Sequence, residues 1–113
     1  MQFPLADSLS RIPGAPSARW PDGSRVDVVL EHNGLLFELY APVGTDTQQP
    51  HTRDELYIVA RGQALFVHHT ARGRVAQEVS SGDALFVPAG DVHRFETFSP
   101  DFAAWVVFFG PEQ

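Results

Sequence analysis

The stretch Gln49-Pro50-His51-Thr52-Arg53-Asp54-Glu55 sets an imidazole and a carboxylate four residues apart, ahead of the β-prone run Leu56-Tyr57-Ile58-Val59. A second imidazole, His93, follows Pro88-Ala89-Gly90 far along the chain. Two His and one carboxylate are the protein ligands of a facial metal site, a set that suits Fe(II) and leaves positions open for other ligands. His51, Glu55 and His93 are therefore the expected metal ligands. Of the other histidines, His32 falls on an expected hairpin tip. His68 and His69 are neighbours on a strand and face opposite ways, so at most one of them points inward.

Geometry constrains the elements that carry these groups. A shared ion at about 2.0–2.2 Å from each donor needs donor atoms within about 3–4 Å of one another. Four residues of straight strand separate Cα atoms by roughly 13 Å, too far for His51 and Glu55 to share an ion. A helix would bring an i, i+4 pair together, but Pro50 and the run Tyr57-Ile58-Val59 favour a strand. The spacing predicts a turn at Thr52-Arg53-Asp54, with His51 closing one strand and Glu55 opening the next. Taken alone, the pair reads first as two exposed polar residues of a surface loop.

The rest of the chain alternates short strands with turn signals. Residues 1–24 form a Pro- and Ser-containing arm, with one helical turn expected at Asp7–Ile12 capped by Asp7. Residues 25–110 carry the strands. Val26–Leu30 and Leu35–Tyr40 flank Asn33-Gly34, a strong hairpin signal. Strands follow at Glu55–Ala60, Gln63–His69, Val75–Val79, Ala84–Val87 and His93–Phe98. Ala103–Phe109 is nearly continuously apolar, as in a strand buried on both faces. This pattern predicts an all-β sandwich or barrel in one domain, residues 1–113.

Composition narrows the function classes. The 113 residues include no cysteine, which excludes disulfides and thiolate chemistry. The formal charge of −6, with arginine as the only strong base, argues against nucleic acid as a partner. No apolar run approaches the length of a membrane span, and the first residues do not read as a signal peptide, so a cytoplasmic location and no membrane partner are expected.

The motif spacings resemble those of the cupins, small double-stranded β-helix barrels of the jelly-roll type. The first cupin motif, G-x5-H-x-H-x3/4-E-x6-G, is matched by His51, Glu55 and Gly62, with six residues between the last two. The second, G-x5-P-x-G-x2-H-x3-N, is matched by Gly82, Pro88, Gly90 and His93. The first histidine of the first motif falls on Gln49, with Gly44 one residue too close to it, and the closing asparagine of the second falls on Thr97. The resemblance implies a divalent ion (Fe, Mn, Ni or Zn) on His51, Glu55 and His93, with the Gln49 amide as a further candidate ligand. It also implies pairing into a homodimer through a sheet face, an expectation that the apolar strand Ala103–Phe109 shares. Arg53 is expected over the barrel mouth for an anionic substrate, with a solvated loop arginine as the competing role. Tyr57 and Phe95 are expected to contact a small-molecule ligand or to fill the core. Three functions compete: a metal-dependent, dioxygenase-like enzyme, a small-molecule binding module, and a metal-free structural domain.

Overall fold

The computed structural model describes residues 1–113. One short helix, α1 (Leu5–Ser10), precedes eight strands: β1 (Val26–His32), β2 (Leu35–Tyr40), β3 (Asp54–Arg61), β4 (Gln63–Thr70), β5 (Gly73–Ser80), β6 (Ala84–Val87), β7 (His93–Phe98) and β8 (Ala103–Phe109). They form two antiparallel sheets, of order β1-β2-β8-β3-β6 and β5-β4-β7. The two sheets share no ladder, so the expected barrel is a pair of sheets enclosing a core and not one closed cylinder.

Period-2 alternation decides what faces inward. β3 sends Glu55, Tyr57 and Val59 into the core, β8 sends Ala104, Val106 and Phe108, and β4 and β7 add Phe66 and Phe95 from the other sheet. Burying each large apolar side chain contributes about 1.5–3 kcal/mol, which makes this inter-sheet layer the main stabilising element. Asn33 and Gly34 both have positive φ, as the tight β1–β2 hairpin requires.

The opposite face of β8 is also covered. Leu39, Ala103 and Trp105 pack against Leu5, Leu9 and Ile12 of the N-terminal arm, and Phe3 meets Phe37 edge-on. This explains the unbroken apolar run of the last strand. The helix starts earlier than expected, with Pro4 at the N-cap and Asp7 inside the first turn, where its charge favours the helix dipole. No helix is long and apolar enough to cross a membrane.

Candidate metal centre

Three segments meet at one end of the inter-sheet core. The segment 44–53, which belongs to no strand, carries His51; β3 opens at Asp54 and carries Glu55; β7 opens on His93. No strand ends at His51, contrary to expectation, and the turn at residues 52–53 joins irregular chain to β3. Backbone contacts clamp the segments together. The Gly90 N–H donates to the His51 carbonyl at 2.7 Å, and the Ala89 N–H donates to Asp54 Oδ1 at 2.8 Å. The turn Pro88–Gly90 is thereby tied to both residues that flank the first half of the site.

The result is a cluster in which one ligand atom from each of His51, Glu55 and His93 lies within 4.8 Å of the others. Glu55 Oε1 is 2.8 Å from His93 Nε2, and Glu55 Oε2 is 4.0 Å from His51 Nε2. Glu55 and His93 are buried to 1% and 2% exposure, whereas His51 is partly open toward solvent. Despite the short distance to His93, neither Glu55 oxygen accepts a well-aligned hydrogen bond. Carboxylates in such surroundings ordinarily find partners, since an unpaired buried charge is costly.

His93 Nδ1 lies 3.0 Å from the Asp91 carbonyl, which can only accept, so Nδ1 carries the proton. In the neutral ring Nε2 is then a bare lone pair, aimed at Glu55 Oε1 and, at 3.0 Å, at the Tyr57 hydroxyl oxygen. The Tyr57 hydroxyl also reaches Gln48 Oε1 at 2.8 Å. Glu55 Oε1 and His93 Nε2 thus face each other as two acceptors, and the single Tyr57 proton serves either Gln48 or His93; a proton between Glu55 and His93, or a metal ion, relieves the contact. Burial lowers the His93 pKa, but the Glu55 carboxylate and the Asp91 carbonyl outweigh it and the net shift is upward. His51 goes the other way, lowered chiefly by burial with Glu55 opposing. Burial and the neighbouring Glu55 and Asp46 charges hold Tyr57 protonated well above the usual phenol range.

A cavity of ≈ 310 Å³ opens from the cluster. His51, Tyr57, Glu38 and Tyr40 line it, Val106 and Phe108 supply apolar wall, and Arg19 and Trp20 bring in the N-terminal arm. Burial, with the Glu55 charge adding to it, raises the Glu38 carboxyl to about 7.

The other expected site residues are placed differently. Gln49 is exposed and lines the cavity, while its neighbour Gln48 is buried against the cluster. Arg53 does not reach over the cavity. Its guanidinium donates to the Gly110 carbonyl at 3.0 Å and to the Gly34 carbonyl, tying the β1–β2 hairpin to the chain end. Phe95 is fully buried, edge-on to Tyr57 and tilted against Phe66 and Phe102, and does not line the cavity. The site residues that sequence reasoning overlooked are Glu38, Tyr40, Asp46, Gln48, Arg19 and Trp20. Glu38 and Tyr40 carried a signal, because they alternate with the apolar face Leu35, Phe37 and Leu39. Asp46 and Gln48 lie in aperiodic chain and carried none.

Comparison with known proteins adds a family. A family model described as a cupin domain matches residues 36–109. An uncharacterized protein of Streptomyces coelicolor is 38% identical over 93 residues, covering 80% of this chain and 84% of that one. Among solved structures, a Neisseria meningitidis protein superposes with a TM-score of 0.67 at 16% identity, over 97% of this chain and 100% of that one. A structure of Bacillus subtilis oxalate decarboxylase, described with Mn(II) centres, gives a TM-score of 0.58 at 18% identity, over 66% of this chain and 21% of that one.

Proposed function

The chain belongs to the cupin family, and from that premise we propose a divalent-metal cupin in which His51, Glu55 and His93 hold one ion beside a cavity for a small organic molecule. The two sheets are read as the halves of a jelly-roll barrel with this site at its open end. The observation that carries the proposal is the buried Glu55 carboxylate, neither oxygen of which accepts a hydrogen bond, with Oε1 facing the His93 Nε2 lone pair at 2.8 Å. Two imidazoles and a carboxylate are the fitting donor set for a first-row divalent ion.

Such an ion would supply a Lewis acid with open coordination positions for a small ligand. The favoured reaction class is dioxygenase-like oxidation, because this donor set is the one that non-haem iron oxygenases use. The chain's own residues would do the rest. The Asp91 carbonyl fixes the His93 tautomer, so that Nε2 faces the centre. Tyr57 remains a neutral hydroxyl and serves as hydrogen-bond partner, not as a phenolate. Glu38, with its pKa near neutrality, is the group in the cavity suited to accept or return a proton. Val106, Phe108 and Trp20 present apolar surface to the body of a ligand.

A second reading has its own support. The raised His93 pKa means that a proton on Nε2 relieves the same contact, as in a metal-free binding module. Loading the protein without oxygen with Fe(II), Mn(II), Ni(II) or Zn(II), followed by elemental analysis, separates the two. The proposal expects one tightly held equivalent. It also expects a small-molecule screen to find ligands that stabilise the loaded protein more than the metal-free one, and oxygen uptake with the Fe(II) form. Ligands that bind a protein retaining no metal would establish the binding module instead.

A further inference from the structure

Gln48 occupies the position beside the cluster that motif spacing assigns to Gln49. It is 6% exposed, and its orientation is dictated by Asp46, which is 1% exposed. Asp46 accepts from the Tyr40 hydroxyl at 2.6 Å, the Gln48 backbone N–H at 3.1 Å, Gln48 Nε2 at 2.7 Å and the Phe95 N–H at 2.8 Å. A carboxylate can only accept, so the amide NH₂ of Gln48 must face Asp46 and Oε1 must point the other way. That other way is the cluster. Gln48 Oε1 accepts from the Tyr57 hydroxyl and lies 3.4 Å from His51 Nε2.

An amide oxygen has two lone pairs. Tyr57 takes one, and the other remains on the side of His51. Adjacent donors around an ion at about 2.1 Å sit about 3 Å apart, close to the Gln48–His51 separation. Gln48 Oε1, His51 Nε2, the Glu55 carboxylate (Oε2 toward His51, Oε1 toward His93) and His93 Nε2 thus form a ring, with the Tyr57 hydroxyl between Gln48 and His93.

We propose that Gln48 is a fourth, neutral oxygen donor to the ion held by His51, Glu55 and His93, and that Asp46 is the positioning residue that keeps its amide turned oxygen-inward. This rests on the reading of the three residues as a metal centre, and the test separates the two claims. Mn(II) affinity is read from the spectrum of free aqueous Mn(II) in wild type, Gln48→Met, Gln49→Met and Asp46→Asn. Pulsed electron paramagnetic resonance then counts coordinated imidazole nitrogens in wild type and Gln48→His.

Gln48→Met is expected to weaken Mn(II) binding by about 10- to 100-fold and Gln49→Met by less than about twofold. Asp46→Asn, which leaves one acceptor oxygen and the wrong donor for the four N–H and O–H groups around it, is expected to weaken it as well. Gln48→His is expected to raise the imidazole count from two to three. A position 48 that does not face the ion would leave that count at two, so this variant tests the placement even if Gln48→Met fails to fold. Unchanged affinity in a folded Gln48→Met, or two imidazoles in Gln48→His, overturns the proposal while leaving the three-residue centre standing. Wild type without any Mn(II)-bound imidazole overturns both.

Discussion

His93 is pulled two ways, and the balance sets how the site responds to pH. Burial lowers its pKa, and the Glu55 carboxylate and Asp91 carbonyl raise it further than burial lowers it. A raised imidazole contributes stability that is complete below its unfolded value of about 6.5 and is lost as pH climbs through the folded value. Metal binding has the opposite sign, because the ion must displace that proton. Mn(II) affinity is therefore expected to rise between pH 6 and 8, by up to roughly tenfold per unit while His93 is still protonated. Over the same range the melting temperature of the chelator-treated protein should fall. Glu38 acts in the same direction, since a carboxyl raised to about 7 removes stability as pH climbs toward that value. A Glu38→Gln variant should flatten the fall in melting temperature below pH 7 and leave the His93 component; an unchanged profile would contradict the account. At this scale Glu55 and His93 were legible because motif spacing fixes their place on strands. Motif spacing points to Gln49, whereas Gln48 is the buried amide, because neither lies in a strand and no periodicity says which of two adjacent amides turns inward.

Two devices set the segments that carry these residues. The first is the link between the turn Pro88–Gly90 and residues 51–54, made by the Gly90 and Ala89 N–H groups. His68 adds to it from β4, with Nε2 2.9 Å from an Asp91 carboxylate oxygen. Asp54→Ala removes the Ala89 acceptor without touching a ligand. It is expected to weaken Mn(II) binding by about tenfold with circular dichroism unchanged, whereas wild-type affinity would show that the clamp is not needed. The second device is Gly62, between β3 and β4, with φ of +79°. A Cβ there would come within 2.6 Å of Ser99 Oγ and 2.7 Å of the Phe102 Cα. Gly62→Ala is expected to lower stability by about 1–3 kcal/mol in urea unfolding, and a neutral result would contradict the crowding argument. All eight strands could be read from alternation and turn residues. The N-cap of α1 lies at Pro4, three residues before the expected Asp7, because a proline at the N-cap is a weaker signal than an aspartate. The role of Arg53 was missed because its partners, Gly34 and Gly110, are distant in sequence and meet it only after the sheet forms.

Over the whole molecule, one surface is left incompletely covered. The arm packs on the outer face of the larger sheet near β2 and β8, but Phe86, Ile58 and Phe109 on the β6–β3–β8 side remain 53%, 38% and 36% exposed. Phe86 and Phe109 pack together there, with ring centroids 6.4 Å apart. A contiguous apolar patch of this kind favours association. The expected assembly is a homodimer through this face, and light scattering at micromolar concentration should return twice the chain mass of 12.5 kDa. Phe86→Glu should shift it to the monomer, and a wild-type monomer would contradict the expectation. The strand pattern made the apolar outer residues legible. How far the arm covers them depends on tertiary packing that no local signal encodes.

In the proposed function, the convergence of Glu55 and His93 with His51 exists to hold a metal ion. The most direct test is the metal content of wild type and His93→Ala after anaerobic loading with Mn(II) and removal of free ion, with His32→Ala and His69→Ala as controls. The account predicts about one equivalent in wild type and in both controls, and loss of most of it in His93→Ala. Equal, near-zero content in wild type and His93→Ala would contradict it, and would make the cluster a proton-bridged network in a metal-free protein.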